Sequence, residues 1–159
     1  MFRWLTFSLA IVILDQITKF LAVQFLVLHE PTYIYNGLNF TLMYNTGAAF
    51  SFLSDAGGWQ RWFFIGVSCL VSIIIVVWMY NTLTKIKNQC LLFALSFILG
   101  GAIGNLWDRL TLGYVVDFIE VYYENLYWPA FNIADSSITI GAILMILDTL
   151  LIDRAKNKL

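Results

Sequence analysis

Apolar residues gather along this chain in four long runs, at about 4–28, 62–80, 90–109 and 133–152. Each is close to the ~20 residues a helix needs to cross a hydrocarbon core. The pattern predicts four transmembrane helices in one membrane-embedded domain covering residues 1–159. The first run does not read as a cleaved signal peptide. Asp15 and Lys19 interrupt it, and no small-residue cleavage site follows a short apolar core. Between the first two runs, "TYIYNGLNFTLMY" sets two β-prone arms around Asn36-Gly37, a strong short hairpin signal. Between the last two, "YVVDFIEVYYENLYWPAF" is rich in Tyr, Trp and Phe, which favour the water–lipid boundary. The expected fold is therefore a mainly α membrane protein, with a small extracytoplasmic β-sheet and an interfacial outer loop.

Composition agrees with a lipid solvent. Hydrophobic residues make up 60% and charged residues 12%, with mean hydropathy +0.79. Soluble domains carry roughly 25% charged residues, so water is not the surrounding this surface suits. The placement of charge matters more than its sum. Arg3, Lys85, Lys87, Arg154, Lys156 and Lys158 fall on one side of a four-span topology, while the loops at about 29–60 and 110–131 contain no Lys or Arg. The positive-inside rule then puts both termini in the cytoplasm and the long outer loops beyond the membrane. Nothing points to a nucleic-acid partner or an obligate protein partner. Cys69 and Cys90 fall at different depths, so they read as separate packing residues, neither bridged nor paired on a metal.

The chemistry lies in polar residues set into apolar runs. In "GGAIGNLWDRL", Gly101, Asn105 and Asp108/Arg109 recur at three and four residues and share a helix face. Gly100 and Gly104 add a small-xxx-small spacing that lets a neighbouring helix come close. Asp15 and Lys19, one turn apart, read as an ion pair within the first helix. Asp148 snorkels or caps a neighbour. Asn132 and Asp135 fit a helix N-cap and third helical position. Asp117 sits in an apolar stretch after Gly113, and its sequence neighbours supply no partner.

Asp117 and Asp135 end facing segments of sequential spans, so a pair is expected. Two carboxylates sharing a site cannot both ionise cheaply, and near neutrality such a pair holds one proton. The ionised member can activate water while the other protonates a carbonyl oxygen. Zinc and Ser-His-Asp schemes fit poorly, because His29 is the sole histidine and lies in a loop. A Ser-Lys scheme would need Lys19, which Asp15 already engages. No cofactor or metal is expected. From the residues alone an aspartic membrane hydrolase, a small transporter or proton-conducting bundle, and a purely structural membrane protein all stay open.

Five segments then occur in order: "DQITK", "YNTGAAFSF", "GGAIGNLWDRL", "GYVVDFI" and "FNIADSSITIG". In these, along essentially its full length, the chain resembles the bacterial lipoprotein signal peptidases, or signal peptidase II. The resemblance implies a four-helix membrane bundle with a small extracytoplasmic sheet, in the inner membrane. It implies cleavage of diacylglyceryl-modified prolipoproteins on the amino side of the lipid-modified cysteine. It implies that Asp117 and Asp135 are the catalytic dyad. Asn45, Asn105, Arg109, Asn132 and Ala134 fall in motifs around substrate and dyad, and Asp15 and Lys19 match the polar pair of the first helix. In this reading Arg109 locks nearby carbonyls through its planar donor fork, and Asn105 and Asn132 offer amides to an extended substrate. The small residues of "NTGAAF" let backbone approach a ligand, and the aromatic outer loops cover the site.

Overall fold

The computed structural model describes residues 1–47, 58–86 and 88–156. Ala48, Ala49 and Phe50 of the small-residue run lie outside the described residues, as do Lys87 and Lys158. The chain runs α1 (Phe2–Phe25), β1 (Thr32–Tyr35), β2 (Leu38–Asn45), α2 (Trp59–Asn81), α3 (Gln89–Thr111), β3 (Val115–Tyr123), β4 (Leu126–Tyr127) and α4 (Ile133–Lys156). A π-helical turn, Thr82–Ile86, extends α2. All four α-helices are long and apolar enough to cross a membrane. Their outer faces carry exposed apolar side chains such as Ile73 and Leu151, each 63% exposed. Those faces suit lipid.

The third helix is the inner one. It packs on α1, α2 and α4. Lipid tails are as apolar as leucine, so helices associate in a bilayer through close packing and hydrogen bonds. The glycines of α3 supply the closeness. A Cβ on Gly101 would run into the Ala134 carbonyl of α4. One on Gly104 would stand 2.6 Å from Asp15 Oδ2 of α1. These two absences of a side chain draw α1 and α4 onto one face of α3. Toward the other end, Ile75 and Met79 of α2 pack with Leu92, Leu95 and Leu99 of α3.

In α1 the buried residues Ser8, Ile11, Asp15, Lys19 and Ala22 recur at three and four and form one inward stripe. The helix stops earlier than its apolar run. Leu26 is already extended, and Leu28 forms a parallel bridge with Leu42. Sheet pairing takes the last residues of the run.

The sheet has four antiparallel strands in the order β1-β2-β3-β4. The Asn36-Gly37 hairpin forms as expected, with Tyr35 opposite Leu38 and Gly37 at φ 96°. The second outer segment does more than lie at an interface. Residues 115–123 form a strand that pairs with β2, setting Asp117 opposite Met43 and Val115 opposite Asn45. Val116 and Phe118 pack with Leu42 and with Ala22 of α1, which mounts the sheet on the helix end.

Candidate active site

The fourth helix starts on a reciprocal cap. Asn132 Oδ1 accepts from the Asp135 N–H at 2.9 Å, and Asp135 Oδ2 accepts from the Asn132 N–H at 3.3 Å. Each side chain satisfies an amide that the first helical turn leaves without a partner. The capping role expected of Asn132 and Asp135 is therefore present. It leaves Asp135 Oδ1 free to accept from Asn105 Nδ2 at 2.8 Å.

Asp117 enters from the strand. It is 2% exposed, and its partners come from elsewhere in the chain. Its Oδ1 accepts from Asn132 Nδ2 at 2.7 Å, and its Oδ2 accepts from Asn45 Nδ2 at 3.0 Å.

The asparagines share a logic. Asn45 Oδ1 accepts from the Gly47 N–H, Asn132 Oδ1 from the Asp135 N–H, and Asn105 Oδ1 from Lys19 Nζ at 3.0 Å. Backbone amides and ammonium groups only donate. Each amide oxygen is thereby committed, and each NH2 turns toward a carboxylate. Besides the substrate contact expected of them, the amides of Asn105 and Asn132 hold the two acids.

Burial, and after it the charge of Asp135, pushes the Asp117 carboxyl up to about 7. Bonds from Asn45 and Asn132 and the charge of Lys19 act in the opposite direction without cancelling the rise. Two acids in one low-dielectric site resist double ionisation, so the pair holds one proton near neutral pH.

Beneath the acids lies a second layer of charge. Lys19 Nζ is 2.9 Å from Asp15 Oδ2 and 2.9 Å from Asp108 Oδ2. The expected Asp15–Lys19 pair is thus one edge of a larger cluster. Asp15 Oδ1 accepts from the Ala134 N–H at 2.9 Å, tying α1 to the first turn of α4. Asp108 Oδ2 accepts from the Val116 N–H at 3.1 Å, and Oδ1 from Gln16 Nε2 at 2.8 Å. Sequence reasoning named Asp108 beside Arg109 without giving it a role, and it missed Gln16. Their positions at i+3 from Asn105 and i+1 from Asp15 were the available signals.

Arg109 behaves as its fork suggested. It donates to the Asn105 carbonyl at 3.3 Å and the Gly47 carbonyl at 3.1 Å. Ala134 is fully buried and occupies the close approach left by the α3 glycines. The Cys69 and Cys90 thiols are free and exposed, so they are not the packing residues expected. Asp148 accepts from the Asn88 side chain at 2.6 Å, consistent with capping a neighbour. Among the described residues, no three His, Cys, Asp or Glu side chains are grouped to hold a metal ion.

Asp117 and Asp135 open together on a cavity of about 650 Å³. Asn45, Asn105 and Arg109 share its polar part, and residues Trp128–Phe131 with Ile138 and Ile140 form its apolar wall. The cavity thus joins carboxylate, amide and guanidinium groups to an apolar lining.

The family model for signal peptidase (SPase) II matches residues 7–151. The lipoprotein signal peptidase of Acinetobacter baumannii is 52% identical over 155 residues, covering 98% of this chain and 87% of that protein. That of Teredinibacter turnerae is 51% identical over 150 residues, covering 93% of this chain and 87% of the relative. A bacterial membrane enzyme solved by the in meso method at 2.3 Å resolution superposes with a TM-score of 0.83 at 34% identity, covering 98% of this chain and 92% of the other. A second, solved by the same method at 1.9 Å, gives 0.78 at 33% identity, with 94% of each chain covered. On sequence and fold together, the chain belongs to the signal peptidase II family of membrane proteases.

Proposed function

We propose that this protease removes the signal peptide from diacylglyceryl-modified prolipoproteins, cutting on the amino side of the lipid-modified cysteine, with Asp117 and Asp135 as its catalytic pair. One observation carries the reading. Two acids from different elements, a strand and a helix start, share one cavity, and each is held by an oriented asparagine amide. A small ion-conducting bundle would also bury acids, but the relatives lend that alternative no support.

The chemistry follows from the shared proton. The ionised member takes a proton from water as the water oxygen attacks the scissile carbonyl carbon. The protonated member gives its proton to the carbonyl oxygen. On collapse, the amine of the lipid-modified cysteine leaves with a proton from the pair. Asn45, Asn105 and Asn132 hold the carboxylates in place, Asp15, Lys19 and Ala134 brace the elements that carry them, and Arg109 fixes the backbone beside them. No metal or cofactor enters this scheme. Membrane lipid and the prolipoprotein are the partners it requires.

Location follows from charge. Six of the nine basic residues, Arg3, Lys85, Lys87, Arg154, Lys156 and Lys158, fall on one side of a four-span topology, which supports both termini on the cytoplasmic side of the bacterial inner membrane. The cavity then opens near the extracytoplasmic face. Acyl chains on the substrate cysteine would hold the scissile bond at that depth, at about 0.8 kcal/mol per buried methylene. The test is turnover in proteoliposomes of one precursor with and without the diacylglyceryl group, both retaining the apolar signal segment. Cleavage of the modified form alone is expected. Equal rates would overturn the substrate assignment.

A further inference from the structure

The second helix makes a contact with the site that none of the five family segments contains. It is the least buried of the four spans, as suits a lipid-facing helix. Yet its first turns grip the end of α3. Arg61 Nε–H donates to the Arg109 carbonyl at 2.8 Å, and an Arg61 NH2 group donates to the Leu110 carbonyl at 2.9 Å. These carbonyls lie in the last turn of α3, where the helix supplies no donor. Gly113, in the left-handed region at φ 90°, turns the chain beside the guanidinium, within ordinary van der Waals reach of Arg61 Nη1. Phe64 shares a helix face with Arg61. Its ring centroid is 5.2 Å from the guanidinium carbon of Arg109, within cation–π range.

The two contacts converge on one residue, Arg61 on its main chain and Phe64 on its side chain. A helix cap accounts for the first and not the second. From Arg109 the contacts run on to the acids. Its guanidinium holds the Gly47 carbonyl, the Gly47 N–H holds Asn45 Oδ1, and Asn45 Nδ2 donates to Asp117. Arg109 also faces the charges of Asp135, Asp117 and Asp108. Resting on the reading of Asp117 and Asp135 as the dyad, we propose that Arg61 and Phe64 are positioning residues for the hydrolysis. They fix Arg109, and through it the Asn45 amide that orients Asp117.

Steady-state cleavage of lipid-modified precursor in proteoliposomes tests this with R61A, R61K, F64L, R109K and R61A/R109K, alongside melting of each variant. R61A is expected to lower kcat about ten- to a hundredfold, with KM and melting temperature nearly unchanged. R61K keeps the charge without the fork, so an intermediate kcat is expected. F64L is expected to lower the same parameter by less. In the R109K background the fork is already lost, and adding R61A should change kcat little, as for residues acting as a unit. Wild-type kcat in both R61A and F64L would overturn the proposal. So would an R61A loss that multiplies fully with R109K and tracks a lower melting temperature, the signature of a cap alone. Where R61A does not fold, R61K and F64L decide, and wild-type kcat in both overturns it. D117N separates the two layers. An active D117N removes the dyad reading, whereas an inactive D117N beside fully active R61K and F64L removes only this inference.

Discussion

Replacing Lys19 with Met puts the buried charge cluster to a quantitative trial. Lys19 is 3% exposed, and its two ionic partners, Asp15 and Asp108, are 0% and 1% exposed. The ammonium is 2.9 Å from a carboxylate oxygen of each, and 3.0 Å from Asn105 Oδ1. Methionine matches the stem but leaves two carboxylates facing each other without a cation. Breaking a buried pair by removing one partner costs about 3–5 kcal/mol, because the remaining charge stays buried. Lys19→Met should therefore destabilise by about that amount. Adding Asp15→Asn to Lys19→Met should cost less than Asp15→Asn does alone, with a coupling of about 1–3 kcal/mol. Unfolding in mixed micelles with increasing SDS gives the stabilities, and a double-mutant cycle gives the coupling. Cleavage should fall as well, since Asn105 Oδ1 loses Lys19 Nζ and keeps only the longer bond from Asn132 Nδ2 to hold its NH2 toward Asp135. A Lys19→Met stability within about 1 kcal/mol of wild type, with additive effects in the cycle, would refute the cluster as an ionic brace.

The other outcomes follow from the same contacts. The Asp117 carboxyl, at about 7 in the folded protein, lies above its ordinary value of 3.8. A raised acid contributes stability that is full below the ordinary value and lost as pH rises through the folded one. Wild type should thus lose stability between about pH 4 and pH 7, and Asp117→Asn should flatten that slope in unfolding curves taken across the range. Cleavage should decline on the alkaline side with an apparent midpoint near 7, where the pair gives up its shared proton. Gly101→Ala and Gly104→Ala each force atoms into the contacts with Ala134 and Asp15. Overpacking of this kind costs about 1–3 kcal/mol, and melting together with cleavage should fall in both variants. Activity should persist with a strong chelator and in Cys69→Ala/Cys90→Ala. Chelator inactivation reversed by zinc would contradict a scheme built on carboxylates alone.

Local pattern carried the helices, the hairpin and the polar spacings of α1, α3 and α4, because each rests on positions a few residues apart, whereas Asn45 and Ala134 entered only through the family resemblance. The 3.6-residue repeat put Asp15 under Lys19. The Asn132-x-x-Asp135 spacing gave the cap, and the planar fork of Arg109 pointed to carbonyls. The misses share a cause in sequence distance. Asp117 drew no partner from its neighbours because Asn45 is 72 residues away and arrives through strand pairing. Residues 115–123 read as an interfacial loop on aromatic content, although the same β-branched and aromatic residues fit a strand once β2 offers an edge. Asp108 joined the cluster only when α1 was laid against α3, 89 residues away at Lys19. Arg61 stood in no motif, and its place against the end of α3 follows from the crossing of two helices.

The central claim is that Asp117 and Asp135 together perform the hydrolysis. Its most direct measurement is single-turnover cleavage of a lipid-modified prolipoprotein in proteoliposomes by wild type, Asp117→Asn, Asp135→Asn and the double variant. Asparagine keeps the shape of the side chain and removes its ionisation. Each single variant should remain folded and lose cleavage, and the double should be no worse than either, as for residues that act as a unit. Near-wild-type cleavage by either single variant would contradict the claim.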